Sequence, residues 1–315
     1  MRVVTSKIAL VTGGNGFLGT YIARCFIENG YRVVIIDMVP PGESKSCRSF
    51  TYHRLRLPNN KIGHLLRKYS PEICIHCVGP VSIKQSVAKP EADFHNSTVI
   101  TFNILNALRL NAPESRFVFL SSAAIYGNPA SLPVTEEHNP APISPYGFHK
   151  LQCERLCKEF SDVYGVKSAI ARIFSAYGEG LRRQVVWDIV RKMLTKRNVI
   201  LQGTGKESRD FIHAHDVAQG IFLISKTSML TCETYNLASG DETSISSLAK
   251  MILDGLRRKD MYIFDNHLPN GVPKNWRADI SKLNKLKFTL SISLRKGVQN
   301  FIEWAKYDLA LPHRR

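Results

Sequence analysis

Acidic residues are scarce in this chain, and several other features are missing from it. Its 315 residues include 43 Lys and Arg but only 26 Asp and Glu, which gives a formal charge of +17 at pH 7. No apolar run approaches the ~18–20 residues that a membrane span needs, so we expect no membrane-spanning segment and no membrane partner. The first residues lack the apolar core of a secretory signal, and residues 8–12 indicate a strand instead. A hydrophobic content of 44% excludes a disordered or fibrous chain.

The cysteines form no pattern that predicts disulfides or a metal site. Seven cysteines are scattered through the chain, an odd number in a sequence with enough apolar residues for a core. We therefore expect free thiols and a reducing, cytoplasmic location. Two pairs are close in sequence, Cys74 with Cys77 and Cys153 with Cys157. Neither pair has a second half-site at a zinc-family spacing, so we predict no metal.

The excess positive charge leaves three kinds of partner open: nucleic acid, an acidic membrane surface or an anionic small molecule. The basic residues occur in short clusters with apolar neighbours, and no long basic tail is present. This pattern favours solvated helix faces over a nucleic-acid surface. The clusters are at 53–56, 182–183, 191–192, 196–197, 257–259 and 314–315.

Strand-like and helix-like patterns alternate through the first part of the chain. Short apolar or β-branched runs predict strands, and apolar residues at helical spacing predict helices. Because strands that alternate with helices form βαβ units, we predict an α/β protein with a Rossmann-type, doubly wound parallel sheet. The predicted strands are at 7–12, 32–37, 73–78 and 116–120, and the predicted helices are at 17–29 and 94–110.

The second half of the chain predicts a smaller, discontinuous domain. A proline-rich loop at 128–145 leads into a helix that begins at Ser144-Pro145 and ends at Gly165. A strand at 168–173 follows, and beyond Tyr177 the pattern becomes less regular, with glycine turns. We predict a doubly wound domain over 1–174 with returning segments near 206–240, including a strand at 234–238, and a second domain formed mostly by 175–315.

A glycine-rich segment follows the first predicted strand and opens the first predicted helix. Glycines there permit a tight turn, close approach of a pyrophosphate to the backbone, and close packing of helix on strand. The amides of the first helical residues, Phe17 and Leu18 among them, and the positive end of the helix dipole favour phosphate. The glycines fit both G-x-x-G-x-x-G and G-x-G-x-x-G: Gly13, Gly14, Gly16 and Gly19.

Asp37 ends the next predicted strand, where dinucleotide-binding folds carry an acidic residue. A carboxylate at this position accepts hydrogen bonds from the adenosine ribose hydroxyls and repels a 2′-phosphate. The segment therefore predicts a dinucleotide site that takes NAD in preference to NADP.

Tyr146 and Lys150 are one helical turn apart and so share a helix face. A free tyrosine has a pKa near ~10 and is a weak base at neutral pH, but a neighbouring cation favours its phenolate. Ser122, at the end of a predicted strand, adds a hydroxyl for a substrate oxygen. The three residues suit removal of a proton from an alcohol while hydride leaves its carbon. A Tyr-x-x-x-Lys pair alone is also a common surface pair.

These segments together resemble the extended short-chain dehydrogenase/reductase family, and in particular its nucleotide-sugar epimerase and dehydratase branch, the UDP-glucose 4-epimerase-like enzymes. The resemblance covers nearly the whole chain. Beyond the glycine loop, Asp37, Tyr146 and Lys150, it includes S-S-A-A-I-Y-G at 121–127, R-I-F-S-A-Y-G at 172–178, G-T-G at 203–205, R-D-F-I-H at 209–213, D-V-A at 216–218, Y-N-L at 235–237 and R-A-D-I-S-K at 277–282.

The resemblance implies a cofactor, a substrate and roles for individual residues. Tyr146 would be the catalytic acid/base, Lys150 would bind the nicotinamide ribose and tune Tyr146, and Ser122 would meet the sugar oxygen. The implied substrate is a nucleotide-diphosphate sugar, bound by the second domain. The implied cofactor is NAD, bound by the first domain through Gly13, Gly16, Phe17, Leu18, Gly19, Asp37, Tyr146 and Lys150.

The same resemblance gives four further candidates for binding the substrate. Arg209 would meet the nucleotide diphosphate, and Arg277 is a second candidate for that task. Ser175 stands where the family usually has an Asn that touches substrate phosphate or sugar. Arg182, in the arginine-rich loop 178–183, could supply a phosphate contact that this Asn would have made. The alternative for Arg209 and Arg277 is a salt bridge with a neighbouring acid, Asp210 or Asp279.

One departure from the family pattern narrows the expected reaction. The dehydratase branch carries an acidic pair after its active-site Thr, whereas two alanines follow Ser122 here. Dehydration is therefore not expected. Serine also replaces the usual Asn at 97 and 175, which leaves the identity of the sugar and base open.

The predicted function is an NAD-dependent nucleotide-sugar epimerase acting at C4, by oxidation to a 4-keto sugar, rotation and re-reduction. The first alternative is a nucleotide-4-ketosugar reductase or sugar-nucleotide 4-dehydrogenase that consumes or makes NAD(P)H. The second is a non-catalytic dinucleotide-binding protein with a basic, nucleic-acid-binding surface. Tyr146 and Lys150 argue against it, so nucleic acid is not an expected partner. The resemblance also implies a homodimer formed through the helices at 94–110 and 145–164.

Overall fold

The computed structural model describes residues 7–41, 50–80, 82–227, 230–258, 262–268, 271 and 273–310. Cys47, Lys259 and the basic pair at 314–315 lie outside the described residues. The strands in this part of the chain are β1 (Ile8–Thr12), β2 (Arg32–Asp37), β3 (Phe50–Arg54), β4 (Ile73–His76), β5 (Arg116–Ser122), β6 (Ser168–Ile173), β7 (Ser175–Tyr177), β8 (Val199–Leu201), β9 (Ser208–His213), β10 (Thr231–Leu237), β11 (Glu242–Ser244) and β12 (Tyr262–Phe264).

The helices alternate with these strands. A π-helical segment, His95–Val99, and a 3₁₀ turn, Ala123–Tyr126, lie between regular α-helices. The α-helices of the described residues are α1 (Phe17–Glu28), α2 (Lys61–Tyr69), α3 (Ile83–Ala88), α4 (Pro90–Phe94), α5 (Ile100–Asn111), α6 (Pro145–Tyr164), α7 (Gln184–Thr195), α8 (Ala214–Thr227), α9 (Ile245–Gly255), α10 (Ser281–Asn284) and α11 (Leu294–Ala310). Within these ranges, no helix is long and apolar enough to cross a bilayer.

The main sheet is parallel throughout and confirms the predicted fold class. Its strand order across the described residues is β10-β6-β5-β4-β1-β2-β3. β10 pairs with β6, so the strand predicted at 234–238 does return to this sheet, as an edge strand that begins three residues earlier. Two small sheets lie outside it among the described residues, β11-β9-β7 and β12-β8.

Helices cover both faces of the main sheet, which explains why its strands read as nearly continuous apolar runs. On one face α1 and α8 pack through residues such as Phe26 and Ile221. On the other face α2, α5 and α6 contribute Leu66, Leu105 and Phe160 to a second core. The loops that follow the carboxyl ends of the parallel strands therefore lie at one edge of the sheet, where ligands of such sheets bind.

Local signals in the sequence set the bounds of α6. Ser144 Oγ accepts a hydrogen bond from Gly147 N at 3.2 Å, and Pro145 occupies the first helical position. Gly165 ends the helix with φ at 68°, a left-handed conformation that favours glycine. The predicted helix therefore has the observed bounds.

The helix predicted at 94–110 is continuous, but its first turn has an unexpected form. His95–Val99 is π-helical, and only then does α5 begin. Ser97 Oγ donates to Asp93 O at 2.6 Å, and Thr101 Oγ1 donates to Ser97 O at 2.8 Å. Hydroxyls that bond to carbonyls one turn back compete with the backbone amides, and this competition accounts for the wider turn.

A third core lies in the second half of the chain. It is formed by α7, α9 and α11, through residues such as Trp187, Leu248 and Phe301. This cluster falls within the predicted domain at 175–315, while β9, α8 and β10 return the chain to the main sheet. The proposed division into two domains agrees with these separate cores and stays a prediction.

Candidate active site

The glycine loop lies at the carboxyl end of β1, near the middle of the main sheet. Gly13 has φ at 70°, and a Cβ there would come within 3.0 Å of the backbone nitrogen of Val78. A Cβ on Gly19 would overlap the carbonyl oxygen of Gly13. Gly16 N donates to that same carbonyl at 3.0 Å, closing the turn. The loop therefore brings bare backbone to the surface that a pyrophosphate would approach.

The first turn of α1 leaves amides directed at the same surface. Gly16 is the N-cap residue and has no side chain to satisfy them. The amides of Phe17, Leu18 and Gly19 precede the first possible intrahelical partner, and Thr20 N is the first to bond back, to Gly16 O. Free amides at the positive end of a helix dipole suit the phosphates of a dinucleotide, so these residues fit NAD.

Asp37 lies at the end of β2, beside the glycine loop. Its Oδ2 accepts a hydrogen bond from Asn15 N at 2.9 Å, and its Oδ1 accepts one from Val39 N at 3.0 Å. These two bonds fix the carboxylate and leave further lone pairs on both oxygens. A fixed carboxylate at this position suits the vicinal hydroxyls of a ribose.

Lys150 is held in place beneath this edge of the sheet. Its Nζ donates to Leu120 O at 2.8 Å, and the residue is 7% exposed. A Cβ on Gly79 would lie 3.4 Å from that nitrogen, so the glycine leaves the lysine open on the cofactor side. An ammonium group has three donors, and the remaining two are available to ribose hydroxyls or to Tyr146.

Ser122 and Tyr146 bring two hydroxyls to one cavity. Ser122 Oγ accepts a hydrogen bond from Ala124 N at 3.1 Å, which leaves its own proton free to be donated. Tyr146 is anchored through its backbone, since its N donates to Ser86 Oγ at 3.1 Å. The cavity has a volume of about 550 Å³ and is also lined by Ser175 and Arg209. The structure therefore brings together four of the predicted site residues.

Arg209 lines this cavity from β9. Its guanidinium lies 5.5 Å from the ring centre of Trp276, and its Nη1 donates to the carbonyl oxygens of Ser208 and Lys274 at 2.6 and 3.0 Å. Burial lowers the pKa of Arg209 to about 10, and the charge of Glu207 opposes this shift. A desolvated cation bonded only to carbonyls is suited to receive an anion.

The alternative of a salt bridge between Arg209 and Asp210 is not realised. Asp210 is fully buried, and its carboxylate accepts hydrogen bonds from Ser239 N, Ser239 Oγ, Gly240 N and Ala278 N. Arg277 is exposed and donates to Gly240 O at 3.1 Å, outside the cavity lining. Neither arginine makes an ion pair with Asp210 or Asp279 among the described residues.

Arg182 is not brought into the cavity, and its neighbour takes that place. Arg182 Nε donates to Asp308 Oδ2 at 2.8 Å, and its guanidinium lies over the ring of Trp304. Arg183 lines the cavity instead, together with Lys84. The position of Arg182 therefore does not support its predicted contact with substrate. The arginine-rich loop thus brings Arg183 to the cavity, and its sequence alone does not distinguish two adjacent arginines.

Glu179 is a further residue that the sequence analysis did not single out. It follows β7. Its Oε2 accepts a hydrogen bond from Tyr21 OH at 3.0 Å and lies 3.1 Å from His213 Nε2, with which it pairs. Hydrogen bonding to His213 is the main cause that lowers the pKa of Glu179, and burial opposes it. The carboxylate thereby ties α1, which carries the glycine loop, to β9, which carries Arg209.

This chain combines a dinucleotide-binding loop with a neighbouring set of Ser, Tyr and Lys. The combination is typical of enzymes that transfer hydride between an alcohol carbon and a nicotinamide. Comparison with known families agrees, since the model of the NAD dependent epimerase/dehydratase family matches residues 9–238. The chain belongs to this family and is an NAD-dependent enzyme. None of the described residues form a cluster that could hold a metal ion.

The similar proteins cover almost the whole chain. A Methanocaldococcus jannaschii protein provisionally named UDP-glucose 4-epimerase is 30% identical over 303 residues, 94% of this chain and 98% of that protein. UDP-N-acetylglucosamine 4-epimerase from Methanobrevibacter ruminantium, solved with UDP-N-acetylmuramic acid, is 25% identical with a TM-score of 0.88 and covers 96% of this chain and 99% of its own. UDP-glucuronic acid 4-epimerase from Bacillus cereus, solved with UDP-glucuronic acid and NAD, has the same identity and TM-score and covers 95% and 99%.

Proposed function

We propose that this protein is an NAD-dependent nucleotide-sugar epimerase that inverts C4 of its sugar. The observation that carries the proposal is the meeting of Ser122 and Tyr146 in one cavity, with Lys150 one helical turn after Tyr146 and held by Leu120 O. The names of the relatives support it, because they include epimerases of UDP-glucose, UDP-glucuronate and UDP-N-acetylglucosamine.

In this proposal the chain's own residues handle the proton and the orientation of the sugar. Ser122 donates a hydrogen bond to the C4 oxygen. Tyr146 accepts the proton of the C4 hydroxyl as the C4–H bond breaks. NAD, held by the glycine loop and Asp37, would supply the acceptor for the C4 hydride and the donor that returns it. Lys150 holds the cofactor ribose and stabilises the charge on Tyr146. The 4-keto sugar then rotates in the cavity. Tyr146 returns the proton to the C4 oxygen after hydride has reached the other face of the sugar.

The carboxylates of the cavity argue against a dehydratase. Asp188 and Glu207 are the acidic residues in the described lining. Asp188 pairs with Lys192 at 2.7 Å and with Arg191, and Glu207 accepts bonds from Thr204 and Gly205 in a tight turn. Neither is free to remove a proton from a sugar carbon, and the residues after Ser122 are buried alanines.

Binding of the nucleotide diphosphate is proposed for the part of the cavity that Arg209 lines. Arg209 would pair with the diphosphate, and the Trp276 ring, 5.5 Å from its guanidinium, lies beside it in the lining. Ser175 also lines the cavity and would meet phosphate or sugar. Arg277, outside the lining, stays a prediction.

The proposal is tested by giving the purified enzyme UDP-, dTDP-, GDP- and CDP-sugars with NAD and following the sugar by NMR. We expect one donor to be converted to its C4 epimer without net formation of NADH. Tyr146→Phe should lower kcat by about 10²–10⁴-fold while the variant still binds NAD. A one-for-one change of NADH with product would instead select the ketosugar reductase or dehydrogenase.

We also propose a cytoplasmic homodimer. The cysteines of the described residues are free thiols, most of them buried, which agrees with a reducing compartment. Adjacent helices α5 and α6 present large apolar side chains to solvent, including Phe102 at 46% and Val163 at 66% exposure. Burying such side chains against a second copy would remove them from water, and it would place two helices from each subunit in the interface.

A further inference from the structure

We propose that the sugar this enzyme acts on carries a carboxylate, and that Arg183 recognises it. The inference rests on the proposed function, since it places C4 of the sugar at Tyr146. It starts from the charges of the cavity. The lining holds three basic residues, Lys84, Arg183 and Arg209, and two acidic ones.

Neither acidic residue of the cavity forms an ion pair with Lys84, Arg183 or Arg209 in the described part of the chain. Asp188 is paired with Arg191 and Lys192, which lie on the same helix one turn further on. Glu207 is bonded within its own turn, and these hydrogen bonds outweigh its burial and lower its pKa. Lys84 and Arg183 make no ion pair with any residue that the structure describes. The cavity is therefore built for a ligand with more than one negative group.

Arg183 and Arg209 both line this cavity but have different neighbours in it. Arg209 lies against Trp276 and beside Glu207. Desolvation lowers the pKa of the Arg183 guanidinium, and the charge of an ionised Tyr146 opposes that shift, so Arg183 and Tyr146 are electrostatic neighbours. Arg209 therefore serves the diphosphate, and Arg183 serves the sugar that reacts at Tyr146.

The chemistry of a hexose identifies the group that Arg183 would meet. When C4 faces Tyr146, the C6 substituent is attached to the adjacent carbon, C5. A neutral CH₂OH at that position has no need of a cation. A C6 carboxylate there would pair with a guanidinium through charge-assisted hydrogen bonds. A hexuronate donor therefore fits the observed charges better than a neutral hexose.

The backbone around Arg183 supports a binding role for this position. Arg183 is the N-cap residue of α7, and Gln184, which follows it in the cavity lining, has φ at 65°. A residue other than glycine rarely adopts this conformation, and such strain persists where the surroundings hold a functional geometry. The strained residue follows Arg183 directly, whereas Arg182, which precedes Arg183, bonds to Asp308.

The experiment compares UDP-glucuronate and UDP-glucose as substrates of the whole enzyme with NAD. We expect kcat/KM to be at least tenfold higher for UDP-glucuronate. Arg183→Gln should lower kcat/KM for UDP-glucuronate at least tenfold and leave that for UDP-glucose within about twofold. Arg183→Lys should keep part of the preference. Arg197→Gln is the matched control, because it removes the same charge from an exposed position after α7, outside the cavity lining.

Three outcomes would overturn the inference. An equal loss on both sugars in Arg183→Gln would place the guanidinium on the diphosphate. A wild-type enzyme with equal kcat/KM for UDP-glucose and UDP-glucuronate would contradict the inference. The proposed function would still stand. An enzyme that converts neither sugar, nor any other donor, would refute the proposed function itself. Melting curves of each variant separate these results from unfolding.

Discussion

At the residue scale, His76 is buried under the cofactor edge of the sheet. Its Nδ1 hydrogen-bonds Thr12 Oγ1 at 2.7 Å, and its Nε2 lies 3.3 Å from Thr101 Oγ1. Burial, together with the positive charge of Lys150, lowers the pKa of His76 to about 3. The imidazole is therefore neutral in the folded enzyme at any pH at which the enzyme would be assayed.

This pKa makes stability depend on pH in a direction that can be measured. The unfolded chain protonates His76 near pH ~6.5 and the folded chain does not, so acid favours the unfolded state below that pH. His76→Asn should be less stable than wild type at pH 7.5, by about 1–3 kcal/mol. The gap should narrow by up to about 1.4 kcal/mol per pH unit between pH ~6.5 and ~4.5. Urea unfolding of both proteins across this pH range measures the difference in their free energies of unfolding. A difference that does not change with pH would contradict the prediction.

Individual site residues differ in how far their sequence could predict them. Tyr146 and Lys150 could be placed because helical periodicity fixes their common face, and Gly13 because only glycine fits its turn. The choice between Arg182 and Arg183 could not be made, since it depends on the backbone of the helix entry and on the distant acid Asp308.

At the scale of elements, one carboxylate bonds to both α1 and β9. Glu179 joins Tyr21 of α1 to His213 of β9. Because its pKa is lowered in the fold, the carboxylate stabilises the protein above the unfolded value, near pH ~4.3, and this contribution disappears as pH falls further.

Glu179→Gln should therefore lower the free energy of unfolding by about 1–2 kcal/mol at pH 7. The difference from wild type should shrink as pH falls below ~4, where the carboxylate of the wild type becomes protonated. Chemical unfolding at each pH gives both values. The same substitution at Glu303, which pairs with Lys306 on the surface of α11, is the control and should have little effect.

Element bounds could be predicted where a local signal marks them, as Ser144, Pro145 and Gly165 do for α6. The π-helical turn before α5 could not, because it depends on hydroxyl groups bonding back to carbonyls inside an otherwise regular helical pattern. The existence of an element thus follows from apolar spacing, and its local distortions follow from side-chain hydrogen bonds.

At the scale of the whole molecule, the proposed dimer makes a prediction about mass. Light scattering should give about twice the chain mass of 35.5 kDa for wild type. Phe102→Glu would place a charge in the apolar face of α5 and should shift the protein to the monomer. Tyr307→Glu is the control, since that side chain is 68% exposed on α11, away from α5 and α6. A monomeric wild type, or a control that also dissociates, would contradict the proposed interface.

The fold class could be predicted because alternating strands and helices permit few arrangements, and right-handed crossovers reduce these further. The return of β10 to the main sheet could be predicted from the strand-like segment at 234–238. The composition of the cavity could not, because its lining is drawn from loops and from helices that are far apart in sequence.

The position of β10 has a consequence for the order in which the enzyme matures. The strand next to it, β6, ends at Ile173, but the sheet edge is completed only by Leu237, after the chain has made β7, α7, β8, β9 and α8. A ribosome adds about 5–20 residues per second, so the nascent sheet waits several seconds with β6 uncovered. During that interval an open parallel edge is exposed, and chaperone protection during translation would be most valuable at this stage.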